Sequence, residues 1–244
     1  MHWILLRGLA REQTHWGGLL SALRDALPEH HFHPIDLPGT GVRFKDRSPC
    51  TIAEIRQQVN QQVSHIPGPY GVIALSMGGM VALDWAQHAV NGEIQRLVLI
   101  NTSCGFSPPW YRMKPASLPR LFSLLGRREL FEREAGILAL TSNQPVATAT
   151  VKRWYSIQRQ RPVSWQTALR QIAAAARFKP SAKRPIGSAL VLASEGDRIV
   201  DWRCSREFER RWQWPLQVHP SAGHDLPLDA PDWVISRIVD YLRC

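Results

Sequence analysis

Short apolar runs alternate with stretches whose apolar residues recur at helical spacing, and this alternation leaves few architectures open. Residues 3–6, 31–35, 70–75, 97–100, 189–193 and 216–218 read as strands. An amphipathic stretch covers 16–27, and Ile52, Ile55, Val59, Val63 and Ile66 share one face of a second helix that Pro67-Gly68-Pro69 ends. Thr51 and Glu54 form a capping-box signature at its start. A third helix begins at Met77, and a last one carries Trp233, Ile235, Ile238, Val239 and Leu242. Strands separated by helices need crossover connections, which predicts an α/β fold with a mostly parallel sheet of about six strands and helices on both faces.

The alternation stops between residues 105 and 184. That segment has apolar residues at helical spacing (Trp165, Leu169, Ile172, Ala176) but no clear strand. It reads as an α-helical insertion above the sheet, entered through Ser107-Pro108-Pro109 and left through Lys183-Arg184-Pro185, between core portions 1–104 and 185–244. The net charge of +10 is concentrated there. Residues 105–184 carry 15 Lys and Arg against 3 Asp and Glu, a surplus of 12, whereas the remaining residues carry 15 against 17. A general preference for arginine would not remove acids from one segment, so the insertion is marked as a surface for an acidic partner.

Other classes are disfavoured by what is missing. No apolar run approaches the roughly 20 residues of a membrane span, and the first eight residues lack the apolar stretch of a secretory leader. The cysteines at 50, 104, 204 and 244 are scattered without zinc-type spacing. A cytoplasmic protein with reduced thiols is expected, with no metal and no cofactor. His30-His31-Phe32-His33 places His31 and His33 on one strand face, but no carboxylate or cysteine lies nearby in sequence to complete a metal site. Gly39-Thr40-Gly41 is not a dinucleotide fingerprint, and no Walker-type loop is present.

The sharpest local signal is Ala74-Leu75-Ser76-Met77-Gly78-Gly79 at a strand–helix junction. A nucleophile elbow needs small residues two before and two after the serine, and Ala74 and Gly78 meet that need. A serine there sits at a helix N-terminus, which favours a developing anion. Its hydroxyl needs a base, and the base an orienting acid. Asp197 follows the strand at 189–193, and His224 lies between the final strand and the last helix. Singly, Asp197 also reads as a turn former and His224 as a surface-loop histidine. Their joint order, Ser then Asp then His at strand ends, favours a catalytic triad.

These motifs, together with Asp36-Leu37-Pro38-Gly39-Thr40-Gly41 after the second strand, resemble the alpha/beta-hydrolase superfamily across nearly the whole chain. The resemblance implies Ser76 as nucleophile, His224 as general base and then acid, and Asp197 as orienting carboxylate. It also implies an oxyanion hole from the backbone N–H groups of Leu9 and Met77, where losing one donor typically costs ~3 kcal/mol of transition-state stabilisation. Arg7-Gly8 stands where the superfamily usually has His-Gly. Members usually begin with further strands, so a reduced sheet is expected, its edge covered by the C-terminal helix or a partner.

Within the superfamily a helical insertion after the fourth core strand forms a lid. The basic insertion looks similar to that of the pimeloyl-[acyl-carrier protein] methyl ester esterases of biotin synthesis, whose lid receives an acidic carrier protein. Ile137, Leu138, Ala139, Leu140 and Thr141 resemble the stretch lining their acyl channel, although a packed lid-helix face has the same pattern. The favoured expectation is a serine carboxylic-ester hydrolase acting on a small or medium acyl ester, with a carrier-bound methyl ester as its specific form. Thioester, lactone and carbon–carbon hydrolysis use the same machinery. Two non-enzymatic readings compete: a nucleic-acid-binding module, which lacks any recognisable reading motif, and a hydrolase-like binding protein, which has no need for three intact groups.

Overall fold

The computed structural model describes residues 1–90, 92–145 and 147–243, with backbone alone for Leu125; Cys244 lies outside the described residues. In chain order the elements are β1 (His2–Leu6), α1 (Gly18–Ala26), β2 (His31–Ile35), α2 (Ile52–Val63), β3 (Tyr70–Leu75), α3 (Met77–His88) and β4 (Ile94–Ile100). A run of helices follows: α4 (Pro109–Arg112), α5 (Leu118–Leu125), α6 (Leu130–Thr141), α7 (Thr148–Gln160) and α8 (Trp165–Arg177). The chain then returns to the sheet with β5 (Ala189–Ser194), α9 (Arg203–Trp212), β6 (Leu216–His219), α10 (Leu226–Asp229) and α11 (Pro231–Arg243). The strands lie in the order β2-β1-β3-β4-β5-β6, and every adjacent pair is parallel.

Period-two alternation distributes the core between two faces. Ile4, Leu6, Val72, Ala74, Leu97, Leu99 and Val191 point to the side packed by α2, α3 and α9. Trp3, Leu5, Ile73, Leu75, Val98, Ile100, Leu190 and Leu192 point to the other, against Leu19 and Leu23 of α1 and Val234 and Ile238 of α11. The C-terminal helix therefore covers a face beside α1, not the sheet edge expected from the sequence. Its apolar stripe matches a flat, twisted surface, whereas an edge offers unpaired backbone groups. The edges are β2 and β6; β2 contains Pro34, which lacks an N–H, a residue suited to an edge.

Two local expectations shift. α2 ends at Val63, so Ile66 is buried after leaving the helix rather than within it. The capping box is half formed: the Thr51 hydroxyl accepts from Glu54 N–H at 3.3 Å, but the Glu54 carboxylate takes the Thr51 hydroxyl at 2.6 Å.

No strand interrupts α4–α8 among the described residues. Leu138, Val151, Trp154 and Ile157 form a small core of their own between α6 and α7. α8 departs from the usual rule that the apolar stripe packs inward: Trp165, Leu169 and Ile172 are 68%, 50% and 43% exposed, while Thr167, Gln171 and Ala174 are buried. No helix among the described residues is long and apolar enough to cross a membrane.

Candidate active site

The loop after β2 shows why Gly39 and Gly41 are needed. The Asp36 carboxylate accepts from Gln13 N–H at 2.7 Å, the Gln13 amide at 3.0 Å and Val42 N–H at 2.9 Å. Gly41, at φ +53°, passes so close to that carboxylate that a Cβ would collide with it; Gly39, at φ +84°, abuts Thr167 of α8. The motif is a folded clamp that joins the loops after β1 and β2.

Ser76 sits between β3 and α3 with φ +55° and ψ −120°, a conformation that L-residues rarely adopt. Its N–H donates to Ile100 C=O at 2.8 Å, and its C=O accepts from Gly79 N–H at 2.9 Å. A Cβ on Gly78 would lie 2.5 and 2.6 Å from the carbonyl oxygens of Leu6 and Arg7, so only glycine lets β1 pass beside α3. Gly8 runs directly past the serine: a Cβ there would meet Ser76 Cβ at 3.2 Å and Oγ at 3.7 Å. Leu9 follows Gly8, and Met77 is the first residue of α3, where an N–H has no helical acceptor.

The three residues singled out from the sequence are brought together. The Ser76 hydroxyl donates to His224 Nε2 at 3.0 Å, and His224 Nδ1–H donates to Asp197 Oδ2 at 2.7 Å. Asp197 is 2% exposed, and its other oxygen accepts from the N–H groups of Ile199 and Val200 at 2.7 and 2.9 Å. Burial opposes a charge on the His224 imidazole and is the largest single influence; the charge and hydrogen bond of Asp197, with the charge of Asp225, outweigh it, while Arg7 subtracts. The net effect raises its proton affinity above that of an ordinary imidazole.

The contacts of several supporting residues were not visible in the sequence. Arg7 is buried and bonds both oxygens of Asp225, at 3.2 and 2.5 Å, beside His224. Asn101, at φ +45° after β4, donates to the His224 carbonyl at 2.9 Å and accepts from Ser194 N–H at 2.9 Å. Asn143 donates to the carbonyls of Gly196 and Ser221, both at 2.8 Å, and so joins the loops that carry Asp197 and His224. Asp229 accepts from Gly223 N–H at 2.7 Å. These pairings cross many intervening residues; the one local signal was Arg7, which departs from the usual His-Gly.

The stretch 137–141 is divided. Leu138 belongs to the small helical core, Ala139 is exposed with its carbonyl accepting from Arg198 at 2.7 Å, and the Thr141 carbonyl accepts from Asp225 N–H at 2.8 Å. Ile137 is half-buried and Leu140 buried outside that core. A surface concavity of about 580 Å³ lined by Arg43, Asp46, Glu54 and Gln58 includes none of Ser76, Asp197 and His224. His2, His31 and His33 stack at the β2 edge, with ring centroids 4.9 and 5.1 Å from His2. Among the described residues no group of three or more His, Cys, Asp or Glu is placed to hold a metal ion.

The sequence pattern of the alpha/beta hydrolase family matches residues 3–237, and the chain belongs to that family. A hydrolase from Pseudomonas aeruginosa PA01 superposes with a TM-score of 0.78 at 20% identity, covering 100% of this chain and 90% of that one. An esterase from Exiguobacterium antarcticum superposes with a TM-score of 0.80 at 14% identity, covering 100% and 92%. At such identities the likeness is one of fold. A pimeloyl-[acyl-carrier protein] methyl ester esterase from Nitrosomonas europaea is 31% identical over 102 residues, 41% of this chain and 37% of that protein, so the similarity spans well under half of either.

Proposed function

We propose that the protein is a serine carboxylic-ester hydrolase acting on a small or medium acyl ester. The observation that carries this reading is the continuous line from Ser76 Oγ through His224 to Asp197, with contacts of 3.0 and 2.7 Å, ending at a serine held in an elbow conformation. Ser76 Oγ attacks the acyl carbonyl while His224 Nε2 takes its proton, and Asp197 holds Nδ1–H and stabilises the imidazolium. The N–H groups of Leu9 and Met77 receive the oxyanion. His224 then protonates the departing alcohol, and water deprotonated by His224 releases the acid from the acyl-enzyme. A chromogenic short-acyl ester is expected to be cleaved by the wild type and not by Ser76→Ala, with a burst of alcohol equal to enzyme. Failure of a fluorophosphonate to label Ser76 would refute the assignment.

The finer reading concerns α4–α8, which we take as a lid, with Ile137, half-buried and outside the small helical core, as the residue of 137–141 that would meet an acyl chain. Its surplus of 12 positive charges favours an acidic carrier protein bearing the acyl ester. The outward stripe of Trp165, Leu169 and Ile172, with exposed Arg177 on the same helix, supplies apolar contact beside that charge. The partial similarity to the carrier-protein ester esterase points to the same substrate class. At low salt the carrier-bound methyl ester should turn over faster than the free methyl ester, and added salt should erase the advantage. Equal rates at low salt would remove the carrier protein from the proposal.

A further inference from the structure

α8 buries its polar face, and that face ends on the loop beside Ser76. Gln171 is fully buried. Its Oε1 accepts from Ala10 N–H at 2.8 Å, and its Nε2 donates to Pro38 C=O at 3.3 Å. Ala10 is a non-glycine residue at φ +55°, a conformation that persists only where surrounding contacts fix it. The residue before it is Leu9, and the residue before that is Gly8, where an added Cβ would meet Ser76.

The neighbouring positions are tied to the same helical segment. Arg11 donates to Glu134 of α6 at 2.8 Å, and its guanidinium lies 4.4 Å from the Trp154 ring of α7. Arg161, just past α7, donates to Glu12 at 2.6 Å and to the Thr14 hydroxyl at 3.2 Å. Among these contacts the Gln171 bond is the nearest in sequence to Leu9 and the one made directly to the backbone. An oxyanion donor works only when its N–H is held within a few tenths of an ångström of the position where charge develops.

We propose that Gln171 is a positioning residue that sets the Leu9 N–H for the oxyanion, so that the helical segment helps to assemble the hole as well as to cover it. The inference rests on Ser76 being the nucleophile. It accounts for the orientation of α8: rotating the helix to bury Trp165 and Leu169 would carry Gln171 away from Ala10.

The test is Gln171→Met, which keeps length and helix propensity but neither hydrogen bond. For the chromogenic ester, kcat should fall by about ten- to a hundredfold with KM changed by less than about threefold, the range of a weakened oxyanion donor. Affinity for a trifluoromethyl ketone, whose tetrahedral adduct places an anion in the hole, should fall by the same factor as kcat. Hydrogen exchange across residues 8–14 should quicken. Unchanged kcat and ketone affinity in a folded variant would overturn the proposal, as would a loss confined to KM. Gln171→Asn stays neutral, withdraws the amide by one methylene from Ala10 and covers the case in which the methionine variant does not fold. Its kcat should fall by at least about fivefold with KM changed by less than about threefold, and wild-type kcat would overturn the proposal. Failure of the serine reading is seen separately in the wild type, as absent ester turnover and absent fluorophosphonate labelling.

Discussion

Replacing Arg7 with methionine should cost the protein about 3–5 kcal/mol of folding stability, the usual result of removing one partner from a buried ion pair. The side chains of Arg7 and Asp225 are only 2% and 5% exposed, and both carboxylate oxygens are engaged. Methionine retains an apolar stem against Trp16, whose ring centroid lies 5.0 Å from the guanidinium carbon, so the main loss is the unpaired Asp225 charge. For a chain of this size each kcal/mol moves Tm by about 2–4 °C, which gives a fall of roughly 6–20 °C. The double variant Arg7→Met with Asp225→Leu should recover most of it, because it removes both charges together. Urea or thermal unfolding followed by tryptophan fluorescence reads the effect. A single variant that loses less than about 1 kcal/mol, or a double variant no more stable than the single, would refute the argument. The same change carries a pH signature. In the proposed mechanism His224 must be neutral to accept the Ser76 proton, so kcat/KM in the wild type should fall as pH drops through a value above the ordinary imidazole pKa of about 6.5. Arg7 lowers and Asp225 raises the proton affinity of His224, so Arg7→Met should move that acid limb to higher pH and Asp225→Asn to lower pH.

Gly78→Ala would push a methyl group against two backbone oxygens of β1, so a loss of about 3 kcal/mol or more in the same unfolding assay is expected; wild-type stability would sink the close-approach argument. His15 is buried, and burial, with Arg11 and Arg7 adding, holds its pKa well below the ordinary value. Its contribution to stability is present above the unfolded-state pKa of about 6.5 and is lost as pH falls through the lower folded value. His15→Leu should therefore flatten the decline of Tm on acidification, and an unchanged slope would exclude this group. Burial pushes the thiols of Cys104 and Cys204 up to about 12 and about 11, so peptide mapping after iodoacetamide at pH 8 should find both unmodified until the protein is unfolded.

The strands at 31–35 and 70–75 were legible to the residue because each is an extended run closed by Pro, Gly or the serine turn. β4 begins earlier than expected, at Ile94, because Gln95 and Arg96 extend it over an irregular pairing at Tyr70 and Gly71, and polar residues there break the apolar signature. Ser76, Asp197 and His224 were readable for a similar reason: each follows a recognisable strand, and parallel connections bring strand ends to one side of a sheet. Arg7 was visible as an oddity, but its partner lies 218 positions away, and only the sheet order brings them together. Asn101 reads as an ordinary residue after a strand until its left-handed backbone and its four side-chain hydrogen bonds, to Ser194 at the end of β5 and to the loop of Gly223 and His224, are seen.

α8 shows most directly where pattern reading stops. The spacing of Trp165, Leu169, Ile172 and Ala176 identifies a helix, but periodicity is silent on which face meets the protein. Burying a large apolar side chain is worth about 1.5–3 kcal/mol, and a typical hydrogen bond nets about 0.5–1.5 kcal/mol. Three outward apolar side chains thus forgo several kcal/mol that the two bonds of Gln171 do not replace. The comparison changes once the alternative orientation is taken literally, because the buried Pro38 C=O without a partner would cost about 1–3 kcal/mol and the partly buried Ala10 N–H would lose its acceptor as well. It changes further if the stripe is covered in a complex, since the apolar burial is then deferred to association. Local rules that fail at one element while holding elsewhere usually mark function. Here the failure falls on the helix that reaches both the loop beside Ser76 and the outer surface of the basic segment.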